Sequence, residues 1–182
     1  MQCATCQTAT LTPVQLDPTL PAQTCASCGG TWIASTAYWS WLEQRRGATP
    51  EPPPAEPLRV ADVARAKRCP GCGYLLLGYP IAADIPFHLD QCGHCNSFWL
   101  DRDEWAALRA ADLHDKLHKI AGEPWQRELR QERHRRAMRA IYAERFGADD
   151  YAEVQRVKAW LDAHPARSML LAYLADADPY RL

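Results

Sequence analysis

Four Cys-x-x-Cys pairs account for all eight cysteines of this 182-residue chain. The pairs are Cys3 and Cys6, Cys25 and Cys28, Cys69 and Cys72, and Cys92 and Cys95. Eighteen residues separate the first pair from the second, and nineteen separate the third from the fourth. Thiolates at this spacing are typical of structural zinc sites, in which two pairs supply four tetrahedral ligands. The chain is therefore predicted to bind two structural Zn²⁺ ions, one at the first four cysteines and one at the last four.

The cysteine pattern is part of a longer internal repeat. A shift of 67 residues superimposes the second pair on the fourth and also places Trp32 on Trp99. Similarity at a fixed period indicates a repeated structural module. The two modules are predicted at residues 1–46 and 67–112. Each has roughly forty residues, too few for a self-sufficient apolar core, so each should need its metal to fold.

Turn and strand signals place the cysteines within each module. Gly29 and Gly30 follow the second Cys-x-x-Cys pair, and Gly73 and Asn96 follow the third and the fourth. Gly and Asn tolerate the positive φ that such a turn favours. A β-hairpin is predicted between the two pairs of a module, and a short helix after the second pair. In the first module this helix is predicted at about residues 35–44.

The two predicted helices differ in how they begin and in what they bury. In the second module Asp101 precedes Glu104 by three residues, the spacing of a capping box in which Asp101 would begin the helix. In the first module Tyr38, Trp39 and Trp41 occupy three sides of one short helix. At least one of these aromatic side chains should therefore be exposed or covered by another part of the protein.

The rest of the chain is predicted to be a linker and a helical domain. Residues 47–66 are Pro-rich, which favours a semi-rigid spacer, with a helical lead-in at about 58–67. The spacer is compatible both with separated modules and with modules that fold back on each other. Residues 113–182 are predicted to be all-α, with three helices in a small antiparallel bundle. Pro124 and Gly147 mark the start and the end of its longest helix.

The second module resembles a known family. Its Cys-Pro-x-Cys pair, its second pair and its Trp-Leu-Asp segment are similar to short prokaryotic zinc ribbons of the transcription factor IIB type. The matching residues are Cys69, Pro70, Cys72, Cys92, Cys95, Trp99, Leu100, Asp101, Glu104 and Leu108. In the first module Ala34 and Ala37 stand where the family has Asp and Glu. The resemblance implies tandem zinc ribbons, each a β-hairpin plus a short helix, and a role near transcription or nucleic acid, although such ribbons also dock proteins.

An arginine-rich run in the helical region is the second candidate binding feature. Its members are Arg127, Arg130, Arg133, Arg135, Arg136 and Arg139. On a helix they could follow the phosphates of a nucleic acid, each contact adding salt-sensitive affinity. The competing interpretation is a solvated helix that Glu128 and Glu132 partly neutralise through pairs at four-residue spacing.

Other chemistry finds little support in the sequence. His114 and His118 have a spacing seen in catalytic zinc sites, but the glutamate and third ligand of such sites are not evident, which favours two solvated histidines. A hydrolytic triad, a phosphate-binding glycine loop and a paired-carboxylate pocket are also not evident. A site of four thiolates leaves no position open for a substrate. The protein is therefore predicted not to be an enzyme and to have no small-molecule substrate.

Composition and cysteine use suggest a reducing environment. The N-terminal residues contain no apolar run typical of a signal peptide, and paired cysteines in a reducing compartment favour metal over disulfides. We therefore expect a cytoplasmic protein with no membrane partner. The formal net charge is −1, and two four-thiolate zinc sites would lower it to about −5. The charge of the whole chain thus gives no support to nucleic-acid binding.

Three functions are compatible with these features. The leading hypothesis is a non-enzymatic zinc protein that binds nucleic acid or the transcription machinery through its ribbons and the arginine-rich helix. The second is a protein–protein adaptor with purely structural zinc, favoured by the near-neutral charge and the surplus of aromatic residues. The third is a thiol redox sensor, in which oxidants expel the metal and form disulfides.

Overall fold

The computed structural model describes residues 1–45, 60 and 65–181. Its strands are β1 Thr12–Asp17, β2 Leu20–Thr24, β3 Thr31–Ile33, β4 Leu76–Pro80, β5 His88–Cys92 and β6 Phe98–Leu100. Its helices are α1 Ser35–Gln44, α2 Glu104–Ala110, α3 Leu117–Ile120, α4 Glu123–Phe146, α5 Ala148–Ala163 and α6 Arg167–Ala175. The linker predicted at 47–66 and its helical lead-in lie outside the described residues, except for Val60 and residues 65–67.

The two cysteine modules share one sheet. The strand order is β1-β2-β3-β6-β5-β4, so the last strand of one module pairs with the last strand of the other. The pairing is antiparallel and places Trp32 opposite Trp99, with Thr31 opposite Leu100 and Ile33 opposite Phe98. Because Trp32 and Trp99 are equivalent positions of the repeat, this register is the one that a twofold axis between the modules would produce. The predicted ribbons are present in tandem, and they form one body.

Helices from both modules cover one common core. Tyr38 and Trp41 of α1 are fully buried, as are Phe98 of β6 and Leu108 of α2. The Tyr38 ring meets the Phe98 ring edge-on, with centroids 5.2 Å apart. The ring of Trp41 meets that of Trp105 edge-on at 5.7 Å. Edge-to-face aromatic contacts of this kind add to the stabilisation from burial, and here they join the two modules.

Helix α1 depends on this burial because its N-terminus has no side-chain cap. Its N-cap residue is Ala34, whose side chain makes no capping hydrogen bond. Tyr38 and Trp41 face the core, whereas Trp39 is 45% exposed. The predicted bounds of the helix and the predicted exposure of one of its three aromatic residues are both confirmed.

The predicted N-cap of the second module's helix is wrong by two residues. Helix α2 begins at Glu104 with Asp103 as its N-cap, at a φ of 67°. Half of the expected capping box does form, since the backbone N–H of Asp101 donates to Glu104 Oε2 at 2.8 Å. The Asp101 carboxylate does not cap the helix because it accepts hydrogen bonds from other side chains.

Part of the predicted helical region packs with the ribbons. Contacts divide the chain into two compact units, Met1–Gln131 and Glu132–Leu182. The boundary falls within α4 rather than at the predicted residue 113. At the start of α4, the indole N–H of Trp125 donates to the Ile81 carbonyl at 2.9 Å, and the Gln126 amide donates to the Pro80 carbonyl at 2.8 Å. These bonds attach the first turn of α4 to the end of β4 and to the residue that follows it.

The second unit encloses little apolar core. Helices α5 and α6 contact each other, but Leu161 is the only buried residue among the described residues from 132 to 181. Trp160, Met169 and Leu174 are exposed by 52%, 75% and 61%. The predicted all-α character of this region is confirmed by α4, α5 and α6, but its described residues do not bury the apolar stripes on which the predicted small antiparallel bundle was based. In the described part of the chain, no helix combines the length and the apolar character needed to cross a membrane.

The contact between modules can be tested at Gly30. A Cβ added at Gly30 would overlap the indole of Trp99, and one added at Gly71 would approach that of Trp32 to 2.7 Å. The Trp99 ring cannot easily move because its N–H donates to Asp101 at 2.9 Å. We expect Gly30→Ala to lower the free energy of unfolding by about 1–3 kcal/mol through overpacking, as measured by urea denaturation of the zinc-loaded protein.

Gly93→Ala is the matched control for this substitution. Gly93 also lies in a cysteine turn, but its added Cβ would meet only Leu77 Cδ1 at an ordinary 3.6 Å. Equal destabilisation by the two alanines would show that the Trp99 contact is not what makes Gly30 sensitive.

Candidate metal centres

The first four cysteines converge on a single point. One ligand atom from each of Cys3, Cys6, Cys25 and Cys28 lies within 4.8 Å of the others, and the sulfurs of Cys3 and Cys28 are 3.5 Å apart. Cys3 and Cys25 are buried. Backbone amides point at the sulfurs, since Cys6 N–H donates to Cys3 Sγ at 3.2 Å and Gly30 N–H donates to Cys28 Sγ at 3.4 Å.

The last four cysteines form a second cluster of the same kind. The sulfurs of Cys69 and Cys95 are 3.6 Å apart, and those of Cys72 and Cys92 are 3.4 Å apart. The hydroxyl of Ser97 lies 3.2 Å from Cys69 Sγ and 3.1 Å from Cys95 Sγ. This buried hydroxyl can donate to one thiolate of the site and thereby stabilise its charge.

Both clusters fit tetrahedral zinc. Four sulfurs at about 2.3 Å from Zn²⁺ lie about 3.8 Å from one another, close to the separations of 3.4–3.6 Å in these clusters. The same separations are far above the length of a disulfide, about 2.05 Å. Two structural Zn²⁺ ions, each held by four thiolates, are therefore the cofactors of this protein, and all the predicted cysteine ligands belong to these clusters.

One turn geometry is repeated four times. The residue after each cysteine pair has a positive φ, namely Gln7, Gly29, Gly73 and Asn96. Each of these residues donates its N–H to the carbonyl of the first cysteine in the pair, at 2.8–3.0 Å. The prediction of a positive φ is confirmed for Gly29, Gly73 and Asn96 and is wrong for Gly30, because one left-handed residue is enough to close each turn. Gln7 was missed because its type does not favour this conformation, although its position in the repeat could have identified it.

Hydrogen bonds favour the thiolate at one cysteine of each cluster. Burial raises the pKa of Cys25, but the backbone N–H groups of Cys28 and Ser27, together with hydrogen bonds from the Cys3 and Cys28 thiols, lower it to about 7. Burial acts likewise on Cys95, where the hydroxyl and the backbone N–H of Ser97 lower the pKa to about 7. Since metals bind the thiolate, the lowered pKa favours metal binding by these two sulfurs near neutral pH.

The carboxylate of Asp101 connects the two modules through hydrogen bonds. Its Oδ1 accepts hydrogen bonds from the Trp99 indole at 2.9 Å and from the Thr5 hydroxyl, in the first cysteine turn, at 3.0 Å. Its Oδ2 lies 2.6 Å from Lys67 Nζ, which also lies 2.6 Å from Asp90 Oδ2. Lys67 is only 5% exposed, and the two carboxylates compensate its buried charge. The sequence analysis missed Lys67 because no local pattern connects it to either aspartate.

Arg102 makes a second connection between the modules. Its side chain lies against Gly29, where an added Cβ would be 2.9 Å from Arg102 Nε. The guanidinium donates to the carbonyl of Cys28 at 3.1 Å and to that of Ser27 at 3.5 Å. Residues of the second module therefore hold both cysteine turns of the first module.

The comparisons with known proteins identify the first module. Residues 2–44 match the family model of the transcription factor IIB zinc ribbon, described as a transcription factor zinc-finger. This module is a zinc ribbon. The second cluster, with its own hairpin and short helix, fits a second copy of the ribbon. No curated protein and no solved structure matches the chain. The match includes Ala34 and Ala37, so loss of the family's capping residues leaves the ribbon recognisable.

The predicted arginines lie on α4 and are all exposed. Arg130 pairs with Glu123 at 2.5 Å, and Arg136 pairs with Glu132 at 2.9 Å. The other four form no ion pair with any residue that the structure describes. The prediction of two solvated histidines is wrong for His114, which is buried.

Zinc stoichiometry tests the two ribbon sites. We expect Cys92→Ser to remove the metal from the second ribbon, leaving at most one zinc per chain by inductively coupled plasma mass spectrometry. Because the ribbons share a sheet, the remaining zinc should also be lost to a chelator faster than from the wild type. Cys25→Ser should give the mirror-image result. Two zinc ions per chain in either variant would contradict the assignment of ligands.

A buried carboxyl gives the fold a pH dependence. Burial raises the pKa of Glu104 to about 8, so the folded protein holds this proton more tightly than the unfolded chain. The protonated Glu104 therefore contributes to the free energy of unfolding. This contribution is complete below the ordinary pKa of a glutamate and is lost as the pH rises towards 8. With zinc in excess, we expect the free energy of unfolding to fall by about 1 kcal/mol per pH unit between pH 6.5 and 8.

Glu104→Gln provides the comparison for this pH dependence. The amide can accept the Asp101 N–H bond and cannot ionise, so its urea denaturation midpoint should change much less over the same range. An unchanged pH dependence in the glutamine variant would assign the effect to another group.

Proposed function

We propose that this protein is a non-enzymatic nucleic-acid-binding protein that works with the transcription machinery, in which both ribbons are zinc-stabilised scaffolds and α4 contacts phosphates. The single observation that carries the proposal is the set of exposed arginines on α4. The family of the first ribbon supports it, since its model describes a transcription factor zinc-finger. A cytoplasmic location, where the thiols stay reduced, belongs to the same proposal.

Helix α4 is strongly basic, and none of its residues from 132 onward is buried. It has 24 residues, a length of about 36 Å, with seven arginines and four glutamates. Gln126 is its buried residue. Arg133, Arg135 and Arg139 are exposed and carry no ion pair with described residues. Their guanidinium groups are therefore available to phosphates at little desolvation cost.

The second ribbon offers a separate surface for unpaired bases. The rings of Tyr74 and His94 stack with centroids 4.2 Å apart and an interplanar angle of 10°. Tyr74 is 57% exposed, and Arg68 lines the same surface groove. Exposed aromatic rings beside an arginine suit the stacking of single-stranded bases. We therefore propose that this ribbon surface favours single-stranded over double-stranded nucleic acid.

Fluorescence anisotropy of the zinc-loaded protein tests the role of α4. The probes are short duplex DNA, single-stranded DNA and RNA of matched length, each titrated at several salt concentrations. Log affinity should fall linearly with log salt, with a slope of about −0.9 per phosphate contact on duplex DNA. The triple variant R133E/R135E/R136E should bind at least about tenfold more weakly and reduce the slope by about three contacts.

A triple reversal elsewhere in the second unit provides the matched control. The variant R156E/K158E/R167E makes the same change in net charge on α5 and α6. Its surface ion pairs contribute little to stability, so it should stay folded and keep most of its affinity. Equal loss in both triple variants would mean that only net charge matters, and unchanged affinity in the first would remove α4 from the proposal.

A protein–protein adaptor is the second candidate function. The observation that favours it is the exposed apolar surface of α5 and α6, including Trp160, Met169 and Leu174. Under this alternative, nucleic acid should not bind even at low salt. A protein partner should instead copurify in a fixed ratio after nuclease treatment and be lost when Trp160 and Met169 are replaced by serine.

A further inference from the structure

A third cluster of metal-ligand types lies outside the ribbons, in the turn after α2. One ligand atom from each of Asp112, His114 and Asp115 lies within 4.8 Å of the others. The cluster shares no residue with the cysteine sites, and neither the zinc ribbons nor the proposed function uses it. Two carboxylates and one imidazole are a ligand set suited to borderline divalent cations such as Zn²⁺.

The histidine of this cluster has unused hydrogen-bonding capacity. His114 is only 7% exposed, and both of its ring nitrogens are buried without a hydrogen-bond partner. Asp115 Oδ1 is also buried without one. Buried polar atoms without partners are costly and uncommon in folded proteins. Coordination of a cation would give one nitrogen of His114 and the Asp115 oxygen a partner at the same time.

The core holds the cluster in a fixed conformation. The His114 ring lies against Trp41 and Trp105, with centroids 5.8 and 5.7 Å away. The Tyr38 hydroxyl donates to the His114 carbonyl at 3.3 Å and accepts from the Leu117 N–H at 3.1 Å. Tyr38 therefore holds the turn on both sides of the cluster, so ligand binding needs little ordering of the backbone.

The cluster lies among charges of both signs. Burial lowers the pKa of His114, and the positive charges of Arg45 and Arg109 act in the same direction, against the carboxylates of Asp115 and Asp112. Lys116 Nζ lies 3.1 Å from Asp112 Oδ2 and 4.0 Å from Asp115 Oδ1. The ammonium of Lys116 thus occupies the approach to both carboxylates and would compete with a metal ion.

We propose that Asp112, His114 and Asp115 form a third metal site, which binds Zn²⁺ through one nitrogen and two carboxylate oxygens. Three protein ligands leave at least one coordination position to water, unlike the closed ribbon sites. The site should therefore exchange its metal readily and bind it much more weakly than the cysteine clusters. Lys116 sets the affinity by competing for the same carboxylates.

Isothermal titration of Zn²⁺ into protein that already holds two zinc ions tests this site. We expect one further equivalent to bind to the wild type. The double variant D112N/D115N should weaken this binding by about a hundredfold, since it removes both anionic ligands. Lys116→Gln should tighten it by about tenfold by removing the competing cation. Both changes lie at exposed or half-exposed side chains, so the fold should tolerate them better than a change at buried His114.

The control is D149N/D150N, which removes two exposed carboxylates from the start of α5 and should leave the third equivalent unchanged. Three results would each overturn the proposal. These are no third equivalent in the wild type, a third equivalent of equal affinity in D112N/D115N, and equal weakening by the two double variants. Weaker rather than tighter binding in the Lys116→Gln variant would overturn the assigned role of the lysine.

Discussion

The pairing of β3 with β6 determines most of what surrounds it. Each of these strands has three residues, and each would be an exposed edge in an isolated ribbon, with unpaired backbone groups open to other chains. Their pairing closes both edges and brings α1 and α2 over one core. A three-stranded ribbon buries little apolar surface, whereas the joined sheet buries Tyr38, Trp41, Phe98 and Leu108 together. Metal coordination fixes each half, and the strand pair makes the halves one folding unit.

The buried charges of Lys67, Asp90 and Asp101 help to fix the register of this strand pair. Such a group pays a large desolvation cost and is weak evidence for stability by itself. We call the pairing of β3 with β6 the seam. Asp101 accepts hydrogen bonds both from Trp99, which lies in the seam, and from Thr5 in the opposite module. A shift of one residue between β3 and β6 would turn side chains to the wrong face and break these bonds. The network therefore selects one register of the seam, much as a buried polar residue sets the register of a coiled coil.

Local signals were sufficient for the metal ligands and for most of the ribbon elements. Cysteine spacing gave both clusters, and the apolar pattern gave α1 with its observed ends. The seam could not be predicted, because strands of three residues have no periodicity to read and nothing in them indicates a partner 67 residues away. Asp101 was predicted to be the N-cap of the helix that follows it. Only the fold shows that its carboxylate instead accepts hydrogen bonds from Thr5 and Lys67. Apolar residues at helical spacing predicted a bundle in the C-terminal region. Trp160 and Met169 are nevertheless exposed, so this spacing does not guarantee that another helix covers the apolar face.

The symmetric register of the seam has a consequence for how the two halves can differ. Two separate copies of a single ribbon, paired through this strand, would form a twofold homodimer with an isologous interface. Any substitution in such a dimer occurs twice, so neither half can lose a feature that the other must keep. Joined in one chain, the halves are free to specialise. The first has alanines at the positions equivalent to Asp101 and Glu104, while the second keeps the carboxylate that reaches across to Thr5. One half can thus supply the polar contacts of the seam for both.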